Sequence, residues 1–240
     1  MSPRRCFSPI RKIYISAARL RELAQDHPLA NYLLFAAAIA DAQLELLETM
    51  PIPQDPRLQA LSAEQLGNKP LDVKSRQRDP IWRELLTALL AKLKPSANDQ
   101  MLATIEWLEK AADSELENLA DKVLAQEFAV ISSDKAVFVW AALSLYWLQL
   151  VQQIPYNAKQ ESTENLHICP VCSSAPTASM IHFGAKQGLR TCTAPCAKAN
   201  GTWCATNAPT ADKAATWIIG LLTNTWRRSE VRAVGTAIAI

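Results

Sequence analysis

Histidine is scarce in this chain: His27, His167 and His182 are the only three in 240 residues. A protein so poor in imidazole does not use histidine chemistry widely. Cysteine is missing from the whole stretch between Cys6 and Cys169, and the other five all fall between Cys169 and Cys204. A secreted disulfide scaffold spreads its cysteines through a small chain, so that class is set aside in favour of a reducing compartment. Charge of one sign is also lacking, with 25 Lys/Arg against 23 Asp/Glu and a net charge of +2. That excludes a broad electrostatic grip on nucleic acid. The phosphate loop GxxxxGK[ST], the dinucleotide fingerprint GxGxxG, the nucleophile elbow GxSxG and the zincin HExxH are all absent. The nucleotide, acyl-transfer and metalloprotease templates are therefore not offered. No apolar run of 7–15 residues with a small-residue cleavage site follows the basic N-terminus, so no secretory leader is expected. The most apolar stretch, residues 137–151, is broken by Ser144 and Gln149. At about 15 residues it is shorter than the ~20 a membrane span needs, so we expect a buried core helix, no membrane span and a cytoplasmic protein.

What is present is helical text. Residues 14–25 carry Ile15, Ala18 and Leu23 among Arg19, Arg21 and Glu22. The next helix is expected to about Met50, capped by Asp26 or His27 with Pro28 in its first turn. Its apolar stripe reads Leu29, Leu33, Ala36, Ala37, Ala40, Leu44 and Leu47, with Asn31, Asp41, Gln43, Glu45 and Glu48 on a polar face. Three prolines between Met50 and Pro56 stop it. Asp79-Pro80 opens a helix with Trp82, Leu85, Leu86, Leu89 and Leu93 facing inward. Ser96-x-x-Asp99 resembles a capping box before a helix through Met101, Ile105 and Leu108. Another follows through Leu116, Leu119, Val123 and Leu124. Ser132-Ser133-Asp134 caps the last, residues 135–154, apolar nearly all round and so central in a bundle. The reading is mainly α: an all-helical domain over 1–157, a linker and cysteine knuckle over 158–190, and an atypical Ala/Thr-rich tail over 191–240.

The chemistry lies in Cys169-Pro170-Val171-Cys172. Two thiolates at i and i+3 reach one ion at about 2.3 Å when the loop curls back, and thiolates select zinc or iron over hard cations. Four ligands are needed, so this pair is an incomplete, rubredoxin-like or zinc-ribbon-like site. Cys192, Cys196 and Cys204 are weaker candidates to complete it, because Cys192-x-x-x-Cys196 has an unusual spacing. His167 and His182 read as local packing or surface residues. A redox Cys-x-x-Cys would want a helix start within a βαβ unit, and the preceding text is a helical domain. A nucleic-acid ribbon would want a basic patch with aromatics, and only Lys186, Arg190 and Phe183 lie nearby.

Composition breaks near residue 190. Residues 1–190 carry a net charge of −1 and residues 191–240 a net of +3, with eleven Ala and nine Thr in the latter. Back-translating from Thr191 and reading one base earlier permits Tyr-Leu-His-Cys-small-Leu-Cys-Glu, then Gly/Ser-Glu-Trp-His, then another Cys-x-x-Cys. We read residues 191–240 as out of frame; the alternative is a genuine divergent tail.

The chain resembles the FdhE family of formate dehydrogenase accessory proteins over about residues 10–190. The resemblance is carried by Arg19-Leu-Arg-Glu-Leu-Ala, Pro28-Leu-Ala-Asn-Tyr-Leu-Leu-Phe-Ala-Ala, Lys69-Pro-Leu-Asp, Ser132-Ser-Asp-Lys-Ala-Val-Phe-Val-Trp and Cys169-Pro-Val-Cys-Ser-Ser. It implies a helical domain followed by several rubredoxin-like knuckles, of which only Cys169 and Cys172 carry over. It implies a cytoplasmic maturation chaperone, not an enzyme. The partner it implies is the catalytic subunit of respiratory formate dehydrogenase, bound around its folding and Tat export. Iron or zinc is the implied metal, with self-association open. A truncated, non-functional remnant and a thiol oxidoreductase using Cys169 and Cys172 are the alternatives. The groups we expect to meet a partner are Asp134 and Lys135, the linker near Tyr156, and the knuckle tip Pro170 and Val171.

Overall fold

The structure, a computed structural model, describes residues 9–61, 69–127, 129–154, 168–169, 171–181, 190–195 and 200–201. The chain divides into two compact units: Met1–Asp55 with Arg76–Gln152, and Pro56–Ser75 with Gln153–Ile240.

The first unit is mainly α. Its helices are α1 (Pro9–Ala24) and α2 (Ala30–Thr49); α3 (Pro56–Gln59), a single turn, belongs to the other unit. Then come α4 (Ile81–Leu93), α5 (Asp99–Lys110), α6 (Asp113–Leu124) and α7 (Ser133–Gln152). The helices read from the sequence correspond to these, with α1 beginning at Pro9, ahead of the expected start at residue 14. The caps differ in detail. Asn98, not Ser96, takes the Met101 N–H at 2.9 Å, while Ser96 sits in a 3-10 turn and donates to the Leu93 carbonyl. Asp79 Oδ1 accepts from the Ile81 N–H at 3.0 Å just ahead of α4, whose N-cap residue is Pro80. His27 Nδ1 accepts from the Leu29 N–H ahead of α2.

The core is built on α7, which packs against α2, α4, α5 and α6. Thirteen of its twenty residues are buried, as an all-round apolar helix requires. Trp147 and, from α4, Trp82, Leu85 and Leu89 are fully enclosed. The polar residues that break the apolar run are tied to specific partners. Gln43 of α2 donates to Ser144 Oγ at 3.0 Å and to the Ala141 carbonyl at 2.8 Å. Gln149 Oε1 accepts from the Ile52 N–H at 2.8 Å, and its Nε2 donates to the Met50 carbonyl. These bonds hold the chain where it leaves α2.

The α2 stripe read from the sequence is corrected. Only Ala37 of that stripe is buried; Leu29 is 59% exposed, while Gln43, assigned to the polar face, is 5% exposed. A helix apolar on most sides does not declare its buried face. Among the described residues α2 is also the one helix long and apolar enough to cross a membrane by length and composition.

A second polar cluster sits between α4 and α6. Glu117 accepts from Arg78 at 2.7 Å, from the Trp82 indole N–H at 2.8 Å and from Arg83 at 2.5 Å. Arg78 also reaches Asp121 and Arg83 reaches Asp113. Burial by itself would raise the Glu117 pKa, but the bonds from Arg78, Trp82 and Arg83 outweigh it and lower it.

The second unit, among its described residues, holds α3 and a three-stranded antiparallel sheet in the order β1 (Ala178–Ile181), β2 (Arg190–Thr193), β3 (Asn200–Gly201). Ala178 pairs with Thr193 and Ile181 with Arg190; Cys192 pairs with Gly201. Residues 191–193, which the composition break assigns to the tail, thus form most of the middle strand.

Two outcomes are expected. Gln149→Ala strands the buried Ile52 N–H and should cost about 1–3 kcal/mol in urea denaturation followed by helical circular dichroism. Glu117→Gln should cost about 1–2 kcal/mol at neutral pH, since the one-third-exposed carboxylate is partly screened. The folded Glu117 value lies below the unfolded one. Its contribution is therefore whole above about pH 4.3 and lost as pH falls below that. The variant's deficit should shrink accordingly in melts at acid pH.

Candidate functional site

The Cys-x-x-Cys turn precedes β1. It reverses because Ser173 adopts a left-handed backbone, φ 59°, which costs a non-glycine residue roughly 1–2 kcal/mol. That conformation lets the Ser173 N–H donate to the Cys169 carbonyl at 2.9 Å and the Cys169 N–H donate to the Ser174 carbonyl at 2.9 Å. The loop closes on itself, and both cysteines are 0% exposed. The two are free thiols with no disulfide between them. Just after the turn, Thr177 joins β2 by donating its N–H to the Thr193 carbonyl at 3.0 Å.

A second segment completes the knuckle, from nearly a hundred residues upstream. The Leu71 N–H donates to the Val171 carbonyl at 3.0 Å and the Val73 N–H to the Cys172 carbonyl at 3.4 Å. Leu71 is 0% exposed and Val73 7%. Nothing in the sequence connects either of them with the cysteines. The one available signal was an apolar pair in otherwise polar text, which shows burial but not the partner.

The electrostatics of the pair are those of a protonated site in the absence of a metal. The hydrogen bond with Cys172, together with burial, pushes the Cys169 thiol far up from its ordinary value. The backbone N–H groups of Cys172 and Val171 point at the same sulfur and offset part of that rise. A neutral thiol is a poor nucleophile, so the pair as placed does not favour thiol–disulfide exchange. N–H groups aimed at a sulfur favour its ionised form, which is what a metal needs. The donor set fits half of a tetrahedral thiolate centre. Among the described residues no third Cys, His, Asp or Glu joins it.

Of the other candidates, Cys192 lies on β2 opposite Ser179 and Gly201 in register. Cys196, Cys204, His167, His182, Pro170 and Tyr156 lie outside the described residues. Asp134 and Lys135 are engaged within the helical unit. Asp134 accepts from Thr104 Oγ1 at 2.9 Å and from Ser132 Oγ, and the Lys135 ammonium lies 3.5 Å from the Trp107 ring centroid. They are structural contacts of α7 and α5.

Burial and protonation together predict slow alkylation. Iodoacetamide labelling read by peptide mass spectrometry should modify Cys169 and Cys172 at least about tenfold more slowly in the native chain than in urea. Equal rates would contradict the buried placement.

Comparison with known proteins bears chiefly on the helical part of the chain. The family described as "FdhE, N-terminal" matches residues 6–164. The FdhE homologue of Haemophilus influenzae (strain PittGG) is 58% identical over 174 residues, 72% of this chain and 56% of that protein. The Pasteurella multocida (strain Pm70) homologue is 56% identical over 175 residues, 72% of this chain and 57% of its own length. The crystal structure of the FdhE protein from Pseudomonas aeruginosa superposes with a TM-score of 0.66 at 26% identity, covering 80% of this chain and 66% of that one. The chain thus spans a little over half the length of these curated relatives. The profile match and the identity over the shared region place the chain in the FdhE family.

Proposed function

We propose that the chain is a cytoplasmic accessory protein for the maturation of respiratory formate dehydrogenase, binding that enzyme's catalytic subunit around its folding and Tat export. The observation that carries this reading is the FdhE match over residues 6–164, with relatives 56–58% identical. The chain acts here by binding, not by catalysis. The thiol-oxidoreductase alternative needs an accessible thiolate, whereas Cys169 is buried with its pKa raised by Cys172 and by burial. Nucleic acid is outside the reading, since the net charge is only +2.

In this reading Cys169 and Cys172 supply two thiolates of a zinc-ribbon-like or rubredoxin-like centre for zinc or iron. The remaining ligands come from Cys192, Cys196 or Cys204. Bound metal would supply a cross-link that holds the turn, and its binding free energy would become folding free energy. The chain's own part is to exclude water from the sulfurs and to aim N–H groups at them.

A second reading has one observation behind it, the change of composition and the out-of-frame text after residue 190. In that reading the chain is a remnant whose helical unit folds but which lacks maturation activity. Sequencing the coding DNA through codons 180–220 separates the two. A missing or extra base favours a full set of Cys-x-x-Cys pairs in the intact gene. An intact frame favours the remnant.

The partner assignment is tested by affinity capture. Tagged chain should retain the catalytic subunit of respiratory formate dehydrogenase from extract and restore formate oxidation to a strain lacking its own accessory protein. Capture without restoration would support the remnant reading. Failure of capture would remove the partner from the proposal.

A further inference from the structure

The loop at residues 69–75 is built to present two N–H groups. Lys69 takes a left-handed backbone, φ 54°, and the Asp72 N–H returns to the Lys69 carbonyl at 3.0 Å. Asp72 Oδ1 then accepts from the Lys74 N–H at 2.9 Å. Inside this double turn the N–H groups of Leu71 and Val73 are directed to the carbonyls of Val171 and Cys172. A non-glycine residue holds a left-handed backbone only where its surroundings over-determine it. Here those surroundings are two turn bonds, two knuckle bonds and two buried side chains.

The bonded carbonyls matter because of the peptides they belong to. A trans peptide is planar, so its C=O and N–H point in opposite directions. The Val171 carbonyl held by Leu71 shares a peptide with the Cys172 N–H, which points at the Cys169 sulfur. The Cys172 carbonyl held by Val73 shares a peptide with the Ser173 N–H, which closes the turn on the Cys169 carbonyl. Each bond from the upstream loop therefore fixes the rotation of one peptide plane of the knuckle. A hydrogen bond at the oxygen of a peptide also polarises the N–H at its other end.

We propose that Leu71 and Val73 are positioning residues for the Cys169/Cys172 site. Leu71 acts through the Val171–Cys172 peptide to aim its N–H at the Cys169 sulfur, and Val73 acts through the next peptide to hold the turn shut. The inference rests on the reading of the two cysteines as metal ligands. It adds that the site is made of two chain segments and that metal binding and docking of residues 69–75 are coupled.

Cobalt(II) titration of the reduced, metal-free full chain tests this through the thiolate-to-cobalt absorption band. Leu71→Pro removes the N–H; Leu71→Ala keeps the N–H and trims the side chain. We expect Leu71→Pro to weaken cobalt binding at least about tenfold and to shift the band, as loss of a group that orients a ligand does. Leu71→Ala should retain the native band position. Native affinity and band in Leu71→Pro would overturn the proposal, and so would equal band shifts in both variants, which would mark a packing role alone. The native chain gives a measurement that needs no variant. Addition of zinc should slow hydrogen exchange at the Leu71 and Val73 amides at least about tenfold. Cobalt binding with exchange at those amides unchanged by zinc would sink the coupling and leave the metal reading standing. No cobalt band in the native chain would sink both.

Discussion

The helical unit depends on one constraint, the burial of α7 on most of its surface. A twenty-residue helix with Phe138, Trp147 and a run of Leu, Ala and Val cannot face water, so α2, α4, α5 and α6 must pack around it. Apolar contact alone would allow several rotations and shifts of such a helix. Ser144 and Gln149 restrict it, because each is buried and each must find its partner. Ser144 meets Gln43, and Gln149 meets the backbone at Met50 and Ile52. The same logic recurs at Glu117, which gives the enclosed Trp82 indole its acceptor while pairing two arginines. Polar groups in this unit act as registration marks in an apolar core.

The knuckle follows a different economy. It has little apolar mass of its own, and its geometry is held by backbone bonds. Ser173 turns the chain, and Leu71 and Val73 grip the turn from outside. Side-chain chemistry and backbone geometry then meet at one atom, the Cys169 sulfur. That sulfur is protonated when alone because Cys172 and burial raise its pKa, yet N–H groups are aimed at it as a thiolate would require. In the proposed reading, a pair that is inert as a dithiol would serve a structural metal rather than redox exchange.

Much of the fold is legible in the sequence, and the misses have physical causes. The 3.6-residue period locates α4, α5 and α6 because each has one apolar face and one charged face. The same method mislocates the buried face of α2, where apolar residues lie on most sides and Gln43 goes inward because α7 offers it two acceptors. The single turn α3 is too short to show a period. Asn98 displaces Ser96 as the cap because Ser96 lies in a 3-10 turn that already uses its hydroxyl. The cysteine pair is readable from its spacing. The loop that positions it is not, since a hydrogen bond between residues separated by a hundred positions leaves no local pattern. Asp134 and Lys135, charged residues at a helix start, also contact Thr104 and Trp107, and no local pattern announces those contacts.

The sequence by itself determined the helical class, most helix boundaries to within a few residues, the central place of α7, and the pairing of Cys169 with Cys172. All of these rest on interactions within about four residues or on the bulk hydrophobic character of one segment. Tertiary structure alone decided which face of α2 is buried, which polar groups Ser144, Gln149 and Glu117 would satisfy, and that Leu71 and Val73 would complete the knuckle. Those choices depend on directional hydrogen bonds between distant segments, and a buried donor is committed only when the fold brings it an acceptor.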